Sequence, residues 1–138
     1  MSVHAGLLRL ATDGHGEVVD VTEGVRTIVE RSGIRSGVAV VFAVGATVAI
    51  TTIEHEPGAV SDLQALLERL IPAGAVYRHN ELNADTNAHA HLSAALIGPS
   101  ESIPIVDGAL GLGTWQQVVL LDFDDRPRDR VVSVHVLG

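Results

Sequence analysis

The chain has no cysteine and no lysine, and these two absences exclude several kinds of chemistry. Without cysteine there is no disulfide, thiolate nucleophile, iron–sulfur cluster or thiolate zinc site. Because every basic residue is an arginine, Schiff-base chemistry, a pyridoxal anchor and a P-loop lysine are excluded as well. Imidazole, carboxylate, guanidinium and hydroxyl groups remain, so a bound metal ion would have nitrogen and oxygen ligands.

Aromatic residues and positive charge are also scarce, at 3% aromatics and a net charge of −8. The core must therefore be built from Val, Ile, Leu and Ala, which suit packed sheets. The negative charge argues against nucleic-acid binding, which depends on basic side chains and counterion release. A chain of 138 residues can bury one core without staples, so we predict a single domain over residues 1–138.

Long apolar runs are absent too. No run approaches the roughly 20 residues of a membrane-spanning helix, and the first residues lack the pattern of a secretory signal. We therefore expect a cytoplasmic protein that does not bind membranes. The mean hydropathy of +0.31 is high for a chain with so few aromatics, which favours burial of apolar surface between subunits.

The apolar pattern predicts an α+β domain of antiparallel β-sheets with about three helices. β-rich runs occupy residues 6–12, 17–20, 37–43, 48–53, 102–106, 117–123 and 130–137, and helical patterns occupy 22–32, 61–70 and 91–97. Short, turn-like connections predict three hairpins, which pair the first two runs, the runs at 37–43 and 48–53, and the last two runs. The polar stretch at 72–86 is predicted to be a functional loop.

Three of the seven histidines lie within 13 residues, at His79, His89 and His91. Three imidazoles with an open coordination position suit Zn²⁺ or a similar divalent ion. His89 and His91 would share one side of an extended backbone but point about 200° apart on a helix, so joint binding requires a non-helical segment. The alternative is that these are surface or hydrogen-bonding histidines.

Charged groups supply further candidates. Glu54 ends a β-rich run and is a candidate metal ligand or general base, the alternative being a solvated turn. Arg126, Arg128 and Arg130 alternate with aspartates near the predicted final turn. Their guanidinium groups suit phosphate or carboxylate recognition, although exposed pairing with the neighbouring aspartates is an equal alternative.

A glycine-rich run at residues 108–113 precedes the only tryptophan. Glycine lets backbone N–H groups approach an anionic ligand, although turn formation is the alternative. Trp115 could stack on a flat ligand that Gln116 hydrogen-bonds, whereas a lone tryptophan is more often part of a core.

Several motifs, in order from residue 46 to residue 130, together resemble the YjbQ-like family of small proteins, often described as secondary thiamine-phosphate synthases. They are ATVAITTIEHEPG, NAHAHLSAALIGPS, IPIVDGALGLGTWQQ and DFDDRPRDR. The resemblance implies an antiparallel α+β fold, a homotrimer and a histidine-centred site that holds a divalent metal ion such as Zn²⁺ or Mg²⁺.

The resemblance also implies roles for particular residues. His79 and His91 match the family's histidines, and Glu54 and Arg128 are the expected catalytic pair. The expected substrate-binding residues are Ser100, Thr114, Trp115, Gln116 and Arg128. Many relatives have a further histidine where this chain has Gly45. We hypothesise that His89 replaces it as the third metal ligand.

The implied activity joins a hydroxymethylpyrimidine pyrophosphate to a thiazole phosphate and releases pyrophosphate, so the expected partner is a small phosphate-bearing molecule. Two alternatives remain. One is a metal-dependent hydrolase of a small phosphate or ester, in which Glu54 acts as the base. The other is a non-catalytic trimer that binds a metal ion or a metabolite.

Overall fold

The computed structural model describes all 138 residues and contains eight strands and four helices. In chain order they are β1 (Val3–Thr12), β2 (Glu17–Asp20), α1 (Thr22–Ser32), β3 (Ser36–Val44), β4 (Val48–Ile53), α2 (Pro57–Leu70), α3 (Arg78–Asn83), α4 (Ala88–Ile97), β5 (Ser100–Val106), β6 (Ala109–Leu110), β7 (Gln117–Asp122) and β8 (Arg128–Leu137). The predicted α+β fold is confirmed.

The strands form two antiparallel sheets. The large sheet has the order β1-β8-β3-β5-β6, and the small sheet has the order β2-β7-β4. The small sheet lies between the large sheet and the helices α2 and α4. Its central strand β7 is buried on both faces: Val118 and Leu120 pack toward the large sheet, whereas Val119 and Leu121 pack toward the helices. The alternation of side chains along β7 thus joins two hydrophobic cores.

The three predicted hairpins are wrong. The connections β1–β2, β3–β4 and β7–β8 each pass from one sheet to the other, so the strands they join do not pair. Instead β1 pairs with β8, β3 with β5 and β8, and β7 with β2 and β4. The physical reason is that β7 is apolar on both faces and needs cover on both, which stacked sheets provide and a single hairpin does not.

The helices follow the predicted periodicity, with shifted boundaries. α1 covers the predicted residues and ends at Gly33, which has a φ of +68°. α2 begins earlier than predicted, because the carboxylate of Glu56 accepts hydrogen bonds from the backbone N–H groups of Gly58 and Ala59. The predicted functional loop contains the short helix α3, and α4 begins at Ala88 rather than at residue 91. No helix is both long and apolar enough to span a bilayer.

One face of the large sheet has no cover within the chain. Alternation along the strands directs Val41 and Val134 into the core and their neighbours outward. The outward set includes large apolar side chains that are 42–59% exposed, namely Leu7, Phe42, Val44 and Val106. This exposed apolar face is a candidate contact surface.

The turn between β1 and β2 offers a matched pair of glycine substitutions. Gly14 and Gly16 have φ values of +79° and +83°, so alanine at either position costs about 1–2 kcal/mol of backbone strain. A Cβ on Gly14 would also lie 2.4 Å from the carbonyl oxygen of Asp124, whereas one on Gly16 would meet nothing within 4 Å. We expect Gly14→Ala to lower the free energy of unfolding by about 1–3 kcal/mol more than Gly16→Ala, measured by urea denaturation. Equal losses would contradict this packing.

Candidate functional site

A buried ion pair lies where β7 and β8 approach their shared turn. Arg130 donates from Nε to Asp122 Oδ2 at 2.7 Å and from Nη2 to Asp122 Oδ1 at 3.0 Å. Its Nη2 also donates to Thr47 Oγ1 at 2.8 Å, and Thr12 donates its hydroxyl proton to Asp122. The side chain of Arg130 is only 10% exposed and that of Asp122 is fully buried. This arginine is committed to holding the two sheets together.

Arg128 lies beside this pair but is bound differently. Its Nε donates to Asp124 Oδ2 at 3.1 Å, and its side chain is 39% exposed. Its terminal nitrogens are not used in this contact. A guanidinium group that is fixed at one nitrogen and open at the others suits recognition of an anion. Of the three arginines singled out from the sequence, Arg128 is thus the one positioned for a ligand, whereas Arg126 is exposed.

Asp124 is the group that orients Arg128. Burial by itself would raise the pKa of Asp124, but its hydrogen bonds from the backbone N–H of Asp125, from Arg128 and from Asn87 outweigh burial and lower the pKa to about 2. The carboxylate therefore stays ionised at neutral pH. The sequence pattern predicts only a general pairing role for the aspartates. The signal in the sequence that could have identified this network is the pair of carboxylates at the end of an apolar run, Asp122 and Asp124.

His79 and His91 are brought together by α3 and α4. Their ring centroids are 4.7 Å apart and their planes are inclined by 47°. The Nδ1 of His79 lies 3.1 Å from Asn80 Oδ1, which also accepts the backbone N–H of Ala88 at 3.0 Å. Because that amide oxygen can only accept, His79 carries its proton on Nδ1, which leaves Nε2 free to bind a ligand.

The structure does not bring His89 to this pair. Since α4 begins at Ala88, His89 and His91 are both helical and point to different faces. His89 instead lines a separate pocket against α2. No three His, Asp or Glu side chains come close enough to hold a metal ion within one subunit. The hypothesis that His89 replaces the histidine missing at Gly45 therefore does not fit this geometry.

A second group of the expected site residues lies in the connection between β6 and β7. Gln116 donates from Nε2 to Thr52 Oγ1 at 3.0 Å and accepts the backbone N–H of Gly113 at 3.0 Å, so it fixes the loop. Trp115 is 72% exposed and is not part of a core. Thr114 is also exposed, as is Glu54 just after β4.

Arg128 and the residues of the β6–β7 connection lie at opposite ends of the small sheet. In the β4–β7 register, Val48 is opposite Asp122 and Ile53 is opposite Gln117. Five residue steps along a strand span about 17 Å. The expected catalytic residues Glu54 and Arg128 are therefore separated within one subunit. Ser100 opens β5, where it pairs with Phe42 in the large sheet.

The low pKa of Asp124 predicts a contribution to stability that depends on pH. The pKa of Asp124 is about 2 in the folded protein, against an ordinary value of 3.8 that applies to the unfolded chain. Ionised Asp124 therefore contributes about 2 kcal/mol to the free energy of unfolding above pH 4. That contribution is lost as the pH falls from about 4 through 2. We expect the free energy of unfolding of Asp124→Asn, measured by urea denaturation from pH 6 to pH 2, to fall less steeply in this window.

Other carboxylates titrate in the same window, so the comparison needs a control. Asp129→Asn, at an exposed position in the same segment, should keep the wild-type pH dependence. Parallel curves for the wild-type protein and Asp124→Asn would show that the Asp124 contacts do not stabilise the fold.

Comparisons with known proteins agree with this architecture. The family model described as "UPF0047 protein YjbQ-like" matches residues 7–138. A UPF0047 protein of Methanothermobacter thermautotrophicus is 39% identical over 138 residues, covering 100% of this chain and 94% of the relative. A UPF0047 protein of Archaeoglobus fulgidus is 40% identical over 130 residues, covering 94% and 98%.

Solved structures match over nearly the whole chain. A crystal structure of a YbjQ-like protein of unknown function from Sulfolobus solfataricus superposes with a TM-score of 0.90 at 32% identity and covers 99% of both chains. A hypothetical protein from Aeropyrum pernix superposes with a TM-score of 0.90 at 36% identity, covering 97% of this chain and 98% of its own. The chain therefore belongs to the UPF0047 (YjbQ-like) family.

Proposed function

We propose that this protein is a transferase of the thiamine-phosphate synthase type, which joins a hydroxymethylpyrimidine pyrophosphate to a thiazole phosphate and releases pyrophosphate. The observation that carries the proposal is Arg128, whose Nε is fixed by Asp124 while its other donors stay open. Both substrates and the leaving group are phosphate-bearing. A positioned guanidinium can stabilise the charge that develops as pyrophosphate leaves.

Asp124 and Arg130 support this role without contacting the substrate. The low pKa of Asp124 keeps a negative charge beside Arg128, which holds the guanidinium in one orientation before the ligand arrives. Arg130 satisfies Asp122 in the same buried network. Because the network is already paired, binding an anion requires little reorganisation of the protein, which is the condition for effective electrostatic stabilisation.

A divalent metal ion is part of the proposal, and the residues present fit one. His79 offers Nε2, and His91 lies beside it. Asn87 lies one helical turn before His91, and its buried Oδ1 has no hydrogen-bond partner. Two imidazoles are suitable ligands for Zn²⁺, and the amide oxygen can serve as a third ligand, whereas Mg²⁺ prefers oxygen ligands and fits this set less well. When bound, the ion would offset phosphate charge.

Assembly as a homotrimer would complete the site. Glu54, Trp115 and Gln116 lie at the far end of the small sheet from Arg128. The apolar outer face of the large sheet has no cover within the chain, and burying it against other copies would remove that surface from water. In the proposed site, the exposed Trp115 of one subunit stacks on a heterocycle bound at Arg128 of its neighbour.

The affinity for Zn²⁺ should distinguish the proposed ligands His79 and His91 from His89. We expect His79→Ala and His91→Ala each to weaken Zn²⁺ binding by at least about tenfold, because each removes a proposed ligand. His89→Ala, on another face of the same helix, is the matched control and should bind as the wild type does. Equilibrium dialysis followed by elemental analysis measures the bound metal. A loss in His89→Ala equal to that in His91→Ala would contradict the assigned ligands.

Turnover should depend on Arg128. We expect pyrophosphate release to require both thiamine precursors and to fall about 10²–10³-fold in Arg128→Gln. Arg126→Gln, at an exposed position two residues away, is the matched control and should stay within about twofold of wild type. A coupled pyrophosphate assay with purified protein measures both rates. Turnover of a single phosphate ester with water would favour the hydrolase, and saturable binding without turnover would favour the non-catalytic protein.

The shared site can be checked in the same assay. Arg128→Gln and Trp115→Ala subunits carrying different tags are co-expressed, and mixed oligomers are purified through both tags. If each site takes Arg128 and Trp115 from different subunits, mixed oligomers regain activity that neither variant has alone. Mixed oligomers as inactive as the parents would place both residues in sites within one subunit.

A further inference from the structure

A second concave site lies on the other side of α4 from the histidine pair. It is a pocket of about 270 Å³ between α2, α4, the small sheet and the β1–β2 turn. Its apolar lining includes Leu63, Leu67, Leu121 and Phe123. The volume is close to the lower limit of about 300 Å³ for small-molecule pockets, so an occupant would be a compact molecule.

Two polar side chains on one face of α4 line this pocket. His89 and Ser93 are four residues apart, so they lie one above the other. The Nδ1 of His89 is buried and has no hydrogen-bond partner. A proton on Nδ1 would leave a buried N–H unpaired, which is rare in proteins because it forfeits a hydrogen bond. The tautomer with its proton on Nε2 avoids this loss, and Nε2 is the ring nitrogen that remains available to a ligand.

The opposite rim is formed by a strained turn. His15 has a φ of +57°, and both its neighbours are glycines with positive φ. Two hydrogen bonds hold the turn. The backbone N–H of His15 donates to the carbonyl of Asp124 at 2.7 Å, and Gln64 donates from Nε2 to the carbonyl of Gly16 at 2.9 Å. A left-handed backbone at a non-glycine residue costs energy, and such residues concentrate at ligand sites.

The charge of the lining limits the class of ligand. Glu68 contributes a carboxylate, and no arginine lines the pocket. An anion would therefore meet repulsion here, in contrast to the open guanidinium of Arg128. We propose that this pocket binds a small, uncharged, mainly apolar molecule whose oxygen accepts a hydrogen bond from His89 Nε2. This site is independent of the proposed transferase activity.

Cyclohexanone is a suitable probe, because it joins an apolar ring to one accepting oxygen. Titration of isotope-labelled protein, followed by NMR, should give saturable shifts at the methyl groups of Leu63, Leu67 and Leu121. His89→Phe should weaken binding about tenfold by removing the donor. Ala73→Trp, which places an indole at the exposed rim, should weaken it further. Ala95→Phe, at an exposed position on another face of α4, should leave the affinity unchanged.

A charged analogue tests whether the pocket prefers an uncharged ligand. Cyclohexanecarboxylate has a similar ring but carries a negative charge, so it should bind more weakly than cyclohexanone. Tighter binding of the carboxylate would overturn the assignment to an uncharged ligand. Shifts that do not saturate, that map elsewhere, or that are equal in His89→Phe and wild type would overturn the site.

Discussion

The buried ion pair between Asp122 and Arg130 is the contact on which the arrangement of the two sheets depends. Asp122 ends the central strand of the small sheet, and Arg130 belongs to the large sheet. The same pair receives Thr12 from the end of β1 and Thr47 from the β3–β4 connection. Three of the connections that pass between the sheets, β1–β2, β3–β4 and β7–β8, are thus tied at one point.

This arrangement is costly to break and specific in geometry. Burying two charges carries a desolvation penalty that only good pairing offsets, and removing one partner of such a pair typically costs about 3–5 kcal/mol. Here both oxygens of Asp122 are paired with nitrogens of Arg130. Since a stacking that separated these two groups would leave buried charges unpaired, the pair favours the observed arrangement of the sheets.

The candidate site follows from this junction. Arg128 lies two residues before Arg130 on β8, and its guanidinium is held by Asp124. Asp124 also contacts Arg130, so the buried network fixes the position of Arg128. α4 begins beside this network, since Asn87, the residue just before the helix, donates a hydrogen bond to Asp124. The helix then directs His91 to the histidine pair and His89 to the apolar pocket. His89 and His91, two residues apart in one motif, therefore lie in two separate sites.

Much of the fold could be predicted from local patterns, but strand pairing could not. The periodicity of α1 and the apolar runs of β4, β7 and β8 located these elements to within a few residues. Pairing failed because a short connection between two sheets has the same length and turn residues as a hairpin loop. The information that distinguished them was the burial of β7 on both faces, which is visible only when the layers are assembled.

The candidate site was predictable in the same partial way. The chemistry available to the chain was determined by its sequence: no thiol, no lysine amine, clustered histidines and alternating arginines and aspartates. Family motifs also selected His79, His91 and Arg128. The tertiary structure gave the physical reason why Arg128 and not Arg130 is open to a ligand, which is burial, and only the structure separated His89 from His91, which depends on helix phase. Sequence lists the groups a chain can use, whereas packing decides which of them meet, because contacts between distant residues are set by the stacking of whole elements.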